Sequence, residues 1–288
     1  MKLCVLSGKG GVGKSSIAAS LAVLLARDKK VVAVDCDVDA PNLGLCLGLH
    51  RKDFKGKPVS TGERARLVPE KCTKCRKCVD TCVFSAISWD DGPVFDPLLC
   101  EGCGACQLVC PADAIELERV ENGWVGTAEK EFPVVSGWLK MGQSGSGDIV
   151  TLVKERAEKI PHDVMVIDSA AGIGCPVIAS VVGSDYVVAV TEPTPSALSD
   201  LKRALQVVKH FGIPCGLVIN RADLNPGFTE TIRGWSSENG LKILAEIPYD
   251  EAFVEAIVRL TPPVVYKPGL EPLFQNLLAL AFEDFGHS

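Results

Sequence analysis

The chain opens with an apolar run, Leu3 to Leu6, followed at once by Gly8-Lys9-Gly10-Gly11-Val12-Gly13-Lys14-Ser15-Ser16. A strand, a glycine loop and a helix in that order make a phosphate-binding turn. Successive backbone N–H groups close around anionic oxygens at the start of a helix, where unpaired donors and the helix dipole add attraction. Gly8, Gly10, Gly11 and Gly13 supply the backbone freedom, Lys14 is placed to reach the β- and γ-phosphates, and the Ser15 hydroxyl can ligate magnesium. A loop of this kind predicts a nucleoside triphosphate as ligand and an α/β fold around it.

The pattern along the chain agrees. Ser16 to Arg27 carries Ile17, Leu21, Leu24 and Leu25 at helical spacing, and Val31 to Asp35 is a second buried strand, so the first segment reads as a βαβ unit. Further strands are expected at Val164 to Ile167, Val187 to Val190, Leu217 to Ile219 and Ile243 to Ile247. They are short, rich in branched apolar residues and separated by helical patterns such as Leu198, Leu201, Leu205 and Val208, as in a mostly parallel sheet covered on both faces. Another helix should start near Asp148, and the tail from Leu270 to Ser288 reads as a short helix, Leu273 to Phe282, with acidic residues after it.

From about Glu63 to Arg119 the character changes to short apolar pieces, turns and closely spaced cysteines, Cys72-x2-Cys75-x2-Cys78-x3-Cys82 and Cys100-x2-Cys103-x2-Cys106-x3-Cys110-Pro111. The two runs form an internal repeat, each followed by an Ala-Ile pair, Ala86-Ile87 and Ala114-Ile115. The expected organisation is a P-loop domain in two parts, residues 1–62 and 120–288, interrupted by a small α+β insert at 63–119. Four closely spaced thiolates per run suit a [4Fe-4S] cluster, with a tetrahedral zinc site as the alternative.

These runs resemble those of the bacterial dicluster ferredoxins, which departs from this chain in having proline where Val83 stands. In that pattern the fourth cysteine of each run serves the other run's cluster. The resemblance implies one cluster on Cys72, Cys75, Cys78 and Cys110, and another on Cys100, Cys103, Cys106 and Cys82. Cys4, Cys36, Cys46, Cys175 and Cys215 read as packed thiols.

The glycine loop resembles that of the deviant P-loop ATPases, which include MinD, ParA, the Mrp/Nbp35 carriers and the nitrogenase iron protein. Lys9 matches their signature lysine, which reaches a partner subunit's phosphates across a nucleotide-sandwiched dimer, so a homodimer or a heterodimer with a paralogous ATPase is implied. Asp37, in Asp35-Cys36-Asp37-Val38-Asp39, matches a switch carboxylate, while Asp39 could instead cap the next element. Asp168, after Val164 to Ile167, would help hold magnesium, and Gly172 would sense the γ-phosphate through its N–H. Asn220 and Arg221 match the adenine-recognising strand end, and Pro248 belongs to the late loop near the base. Together these imply an ATP/ADP-binding, Mg2+-dependent ATPase whose nucleotide state controls electron transfer through two [4Fe-4S] clusters. The alternatives are cluster delivery of Mrp/Nbp35 type and spatial positioning of MinD/ParA type. The first two would use a redox partner or an apo iron-sulfur protein.

Composition narrows the remaining classes. A chain of 288 residues with 47% hydrophobic and 23% charged content is ordinary for a soluble globule. A net charge of -6 supplies no field for holding a polyanion, so nucleic acid is not expected. The early strand leaves no room for a leader, and no apolar run approaches the ~20 residues of a membrane span, so a cytoplasmic protein without membrane insertion is expected.

Overall fold

The computed structural model describes residues 1–286. Two compact units are present, one formed by Met1–Gly56, Val125–Trp138 and Ser146–Ser288, the other by Lys57–Trp124 and Leu139–Gly145.

The large unit is built on a sheet whose strands run in the order Lys242–Ile247, Cys215–Asn220, Tyr186–Thr191, Lys2–Ser7, Val164–Ala171, Val31–Asp35, Pro133–Leu139, Gly123–Glu129, Lys55–Val59. Lys2–Ser7 lies between Val164–Ala171 and Tyr186–Thr191, parallel to both, and Val5 pairs with Asp168 as Asp168 pairs with Asp35. Because these strands are parallel and in register, Ser7, Asp35 and Asp168 all reach the carboxyl edge of the sheet, where α/β folds build their sites. The strands are apolar on both faces: every residue of Val31–Asp35 and Tyr186–Thr191 is buried.

Helix Lys14–Leu25 is buried almost all round, which its alanines and serines allow by letting neighbours approach closely. Helix Pro195–His210 starts where the Thr194 hydroxyl accepts from the Ala197 N–H, with Pro195 in the first turn, and it buries Leu198, Leu201 and Val208. Leu198 and Leu201 join Ala189, Leu217, Ile219 and Ile232 in one apolar cluster. Fully burying a side chain of this kind stabilises by about 1.5–3 kcal/mol. The last helix, Glu271–Gly286, sinks Phe274, Leu277, Leu278 and Ala281 into the fold. Among the described residues no helix is long and apolar enough to cross a membrane.

Three strands of this sheet escape the sequence pattern, Lys55–Val59, Gly123–Glu129 and Pro133–Leu139, and the last pairs in parallel with Val31–Asp35. Glycines and a proline dilute their apolar signal. Gly137 is required by close packing, since a Cβ there would lie 2.7 Å from Cγ2 of Val153. The helix expected near Asp148 begins at Ser146.

The smaller unit pairs Gly62–Leu67 with Ile115–Val120 and Ile87–Trp89 with Pro93–Phe95, both antiparallel. Two short helices, Lys77–Thr81 and Ala105–Leu108, each follow a left-handed residue, Arg76 at φ 67° and Gly104 at φ 76°, so the sequence repeat is also a backbone repeat. Cys78 and Cys106 are buried with Ala65, Ile87 and Ile115 in its apolar core.

The expectation that this unit is a dicluster ferredoxin domain is corrected here. Among the described residues no group of three or more His, Cys, Asp or Glu side chains could hold a metal ion. One small cavity is lined by Cys72, Cys75, Cys78 and Cys110, a second by Cys82, Cys100, Cys103 and Cys106, and each has a volume of only ≈ 20 Å³. What stands of the expected fold class is the α/β P-loop fold with a mostly parallel central sheet.

Candidate functional site

A cavity of ≈ 280 Å³ opens at the carboxyl edge of the large sheet. Gly10, Gly11, Gly13, Lys14, Ser15 and Ser16 line one wall, Asp37 another, and Asn220, Arg221 and Pro248 the far end. The volume is just under the ~300–1,000 Å³ usual for ligand sites.

Helix Lys14–Leu25 enters this cavity with its amino end. Gly13 at φ 91° precedes it, no side chain caps it, and no acidic residue lies in its first turn. Its first N–H groups and positive dipole end are therefore free for an anion. Gly8 lies outside the lining and serves packing: a Cβ there would meet the Asp200 backbone carbon at 2.2 Å. Val12 is buried and contributes its carbonyl, which accepts from Nδ2 of Asn220 at 2.8 Å.

Behind the loop, the Lys14 ammonium donates to Oδ1 of Asp168, both groups buried. Burial by itself would lower the lysine, but the adjoining Asp168 charge and hydrogen bond outweigh it and hold Lys14 above the ordinary lysine range. Oδ2 of Asp168 and the Ser7 hydroxyl are buried without a hydrogen-bond partner among the described residues. Asp35 accepts from the N–H of Asp37 at 3.1 Å and of Leu43 at 2.9 Å, which fixes the loop carrying Asp37. Burial and then the Asp168 charge push Asp35 well above the usual carboxylate range, and burial raises Asp37 as well. The site thus holds more negative charge than Lys14 can offset.

Other expected residues are placed as follows. Lys9 is directed to Glu192, with Nζ 3.1 Å from Oε1, and Arg221 holds the other oxygen of the same carboxylate at 2.8 Å. The Gly172 N–H donates to the Ser7 carbonyl at 3.1 Å. Asn220 uses both ends of its amide, Nδ2 on Val12 and Oδ1 accepting from the Arg221 N–H at 3.0 Å. Cys4, Cys36 and Cys46 are buried and Cys215 is partly so, but Cys175 is exposed, contrary to its reading as a packed thiol. Glu192 escaped the sequence reading because its only signal is a place just after the strand Tyr186–Thr191. Leu45, Cys46, Phe253 and Val254 add an apolar wall that no motif announces.

A protein-family profile described as "CobQ/CobB/MinD/ParA nucleotide binding domain" matches residues 3–264. An uncharacterised protein of Methanocaldococcus jannaschii is 39% identical over 250 residues, 87% of this chain and 85% of that protein. A shorter stretch of 65 residues is 43% identical to the indolepyruvate oxidoreductase subunit IorA of Methanothermobacter marburgensis, covering 22% of this chain and 10% of that subunit. Among solved structures, the septum site-determining protein MinD of Pyrococcus horikoshii, complexed with Mg-ADP, superposes with a TM-score of 0.60 at 20% identity, covering 96% of this chain and 93% of that one.

The expected ATPase stands with these findings, while the iron-sulfur part of the expectation does not. The matching family is described by nucleotide binding, and the described residues gather no metal-holding group. The reading as a cluster-bearing protein, the two [4Fe-4S] cofactors and electron transfer as the main function are corrected accordingly.

Proposed function

Because the chain belongs to the CobQ/CobB/MinD/ParA family of nucleotide-binding domains, we propose that it binds magnesium-ATP in the loop cavity and hydrolyses it slowly as a nucleotide-dependent switch. The observation that carries this is the buried Lys14–Asp168 pair beneath an uncapped helix start, with Oδ2 of Asp168 unpartnered. Gly10, Gly11, Gly13 and Lys14 hold the phosphates, with Gly8 and Val12 shaping the loop from behind. Ser15, Asp37 and Asp168 would hold magnesium, whose charge would relieve the crowding of buried carboxylates and would neutralise negative charge on the phosphates. Asp37 also orients the attacking water. Ser16 steadies the first helical turn, its carbonyl accepting from the Ser20 hydroxyl at 2.8 Å.

Asn220 reads the base with its second N–H while the first keeps the loop in place, and Arg221 and Pro248 flank that end. Gly172 exchanges its contact with Ser7 for the γ-phosphate, which makes the segment after Asp168 a sensor of nucleotide state. Lys9 leaves Glu192 to reach the nucleotide of a second subunit, a copy of this chain or a paralogue. The likeness to MinD and ParA proteins supports a positioning role for such a switch, carried out in the cytoplasm.

Isothermal titration with ATP in magnesium, followed by phosphate release, tests the reading. Micromolar binding lost in Lys14→Ala and a slow turnover lost in Asp37→Ala are expected. Equal nucleotide binding by wild type and Lys14→Ala would overturn it. Light scattering with and without ATP reports the dimer, which Lys9→Ala should abolish while nucleotide binding persists.

A further inference from the structure

A second cavity, of ≈ 150 Å³, lies in the large unit beside the segment that follows Asp35. Its apolar walls include Phe54 and Trp138, whose rings meet edge to face with centroids 5.0 Å apart, and Leu45. A void of this size accepts a molecule built on a single ring.

Three polar groups break the apolar lining, and two of them, Ser136 and Arg51, have no part in the nucleotide site. The Ser136 hydroxyl, 1% exposed, has no hydrogen-bond partner among the described residues. Burying an unpartnered hydroxyl costs free energy that a ligand's donor or acceptor would recover. Asp35 also lines this space, and its two carboxylate oxygens accept from the N–H groups of Asp37 and Leu43. At the exposed side, the Arg51 guanidinium lies over the Trp138 ring, 5.3 Å from its centroid, and is paired with no carboxylate among the described residues.

We propose that this cavity is a binding site for a small aromatic carboxylic acid carrying a hydroxyl or amine at the end opposite its carboxylate. The carboxylate meets Arg51, the ring lies against Phe54 and Trp138, and the polar substituent bonds to Ser136 and Asp35. A plain hydrocarbon would leave Ser136 unpartnered, and a dianion would place negative charge against Asp35. The charge order, cation outside and acid inside, therefore selects a molecule with an anionic end and a hydrogen-bond-donating end. Leu45 lines both this cavity and the loop cavity, so an occupant touches a residue of the other wall. The binding itself does not depend on the nucleotide reading.

Calorimetric titration of the full-length protein with 4-hydroxybenzoate tests it, with Trp fluorescence as a second readout. One molecule bound per chain is expected, with affinity reduced about tenfold in Arg51→Gln and in Ser136→Ala, a loss of the size one charge-assisted or buried hydrogen bond contributes. The uncharged 4-methylphenol should bind more weakly than the acid. Absence of binding by the wild type up to about 10 mM, weaker than any specific site of this kind, overturns the proposal. So does equal affinity in wild type and Arg51→Gln. Arg51 is exposed, so its variant folds and decides the matter even if Ser136→Ala does not.

Discussion

Lys14 and Asp168, separated by 154 positions in sequence, meet as a buried ion pair directly behind the glycine loop. Removing one member of such a pair leaves the other charge buried and uncompensated, which costs about 3–5 kcal/mol. Lys14→Met should therefore lower stability by that order in urea unfolding of the nucleotide-free protein, besides losing nucleotide. Lys14→Met with Asp168→Asn should recover much of the loss, because the stranded charge is gone. A double variant no more stable than the single one would show that the pair contributes chiefly through packing.

Gly13 and Asn220 are a second interlocked pair. A Cβ at Gly13 would stand 2.5 Å from Nδ2 of Asn220, and the backbone there has φ 91°. Gly13→Ala should thus cost ~1–2 kcal/mol in backbone strain alone, more with the clash, and should weaken ATP binding. Asn220→Ala removes the bond to Val12 and should cost about 1 kcal/mol. The two substitutions together should cost less than their sum, since deleting the amide vacates the space the new methyl needs. Thermal melts and nucleotide titrations of the three variants measure this directly; strict additivity would rule out the clash.

The loop and the strands carrying Asp35, Asp168 and Asn220 were legible in sequence because each depends on local chemistry: glycine at forced backbone angles, or a short branched apolar run before a polar residue. Lys9, Glu192 and Arg221 show the limit. Their meeting depends on the order of strands, and Glu192 follows its strand with no motif around it. The strand Pro133–Leu139 was hidden by Gly137, whose value lies in a close approach by Val153. The cysteine runs went wrong in another way. Spacing counts possible ligands, but among the described residues they form no group that could hold a metal ion.

Asp37 gives the pH dependence. Its pKa is raised, mainly by burial and secondarily by Asp168, with Lys14 opposing. A carboxyl group whose folded pKa lies above its unfolded value keeps its proton longer in the folded chain, so its effect on stability becomes less favourable as pH rises through that interval. Starting near pH 4, the ordinary aspartate range, Asp37→Asn should gain stability relative to wild type as pH increases, without magnesium or nucleotide. The gap should shrink on adding magnesium-ATP. Midpoints of urea unfolding across that range check the sign, and a gap that closes with rising pH would contradict it.

Glu192 is 13% exposed and neutralises two cations at once, Lys9 and Arg221. Each link is partly solvated and worth at most about 1 kcal/mol, so Glu192→Gln should barely change stability. Its electrostatic effect should be larger, because two positive groups beside the cavity lose their shared counter-charge while Lys9 is released from its intramolecular partner. Affinity for ATP should rise a few-fold at low ionic strength and return toward wild type near 1 M salt, where charges more than about 3 Å apart are screened. The ATP-dependent dimer should form at lower protein concentration for the same reason. Lys9→Ala in the Glu192→Gln background should cancel the dimer gain but leave the part of the affinity gain due to Arg221, which separates the two cations. An affinity that falls in Glu192→Gln would instead make Glu192 a direct contact of the nucleotide, in the manner of a carboxylate accepting from a sugar hydroxyl.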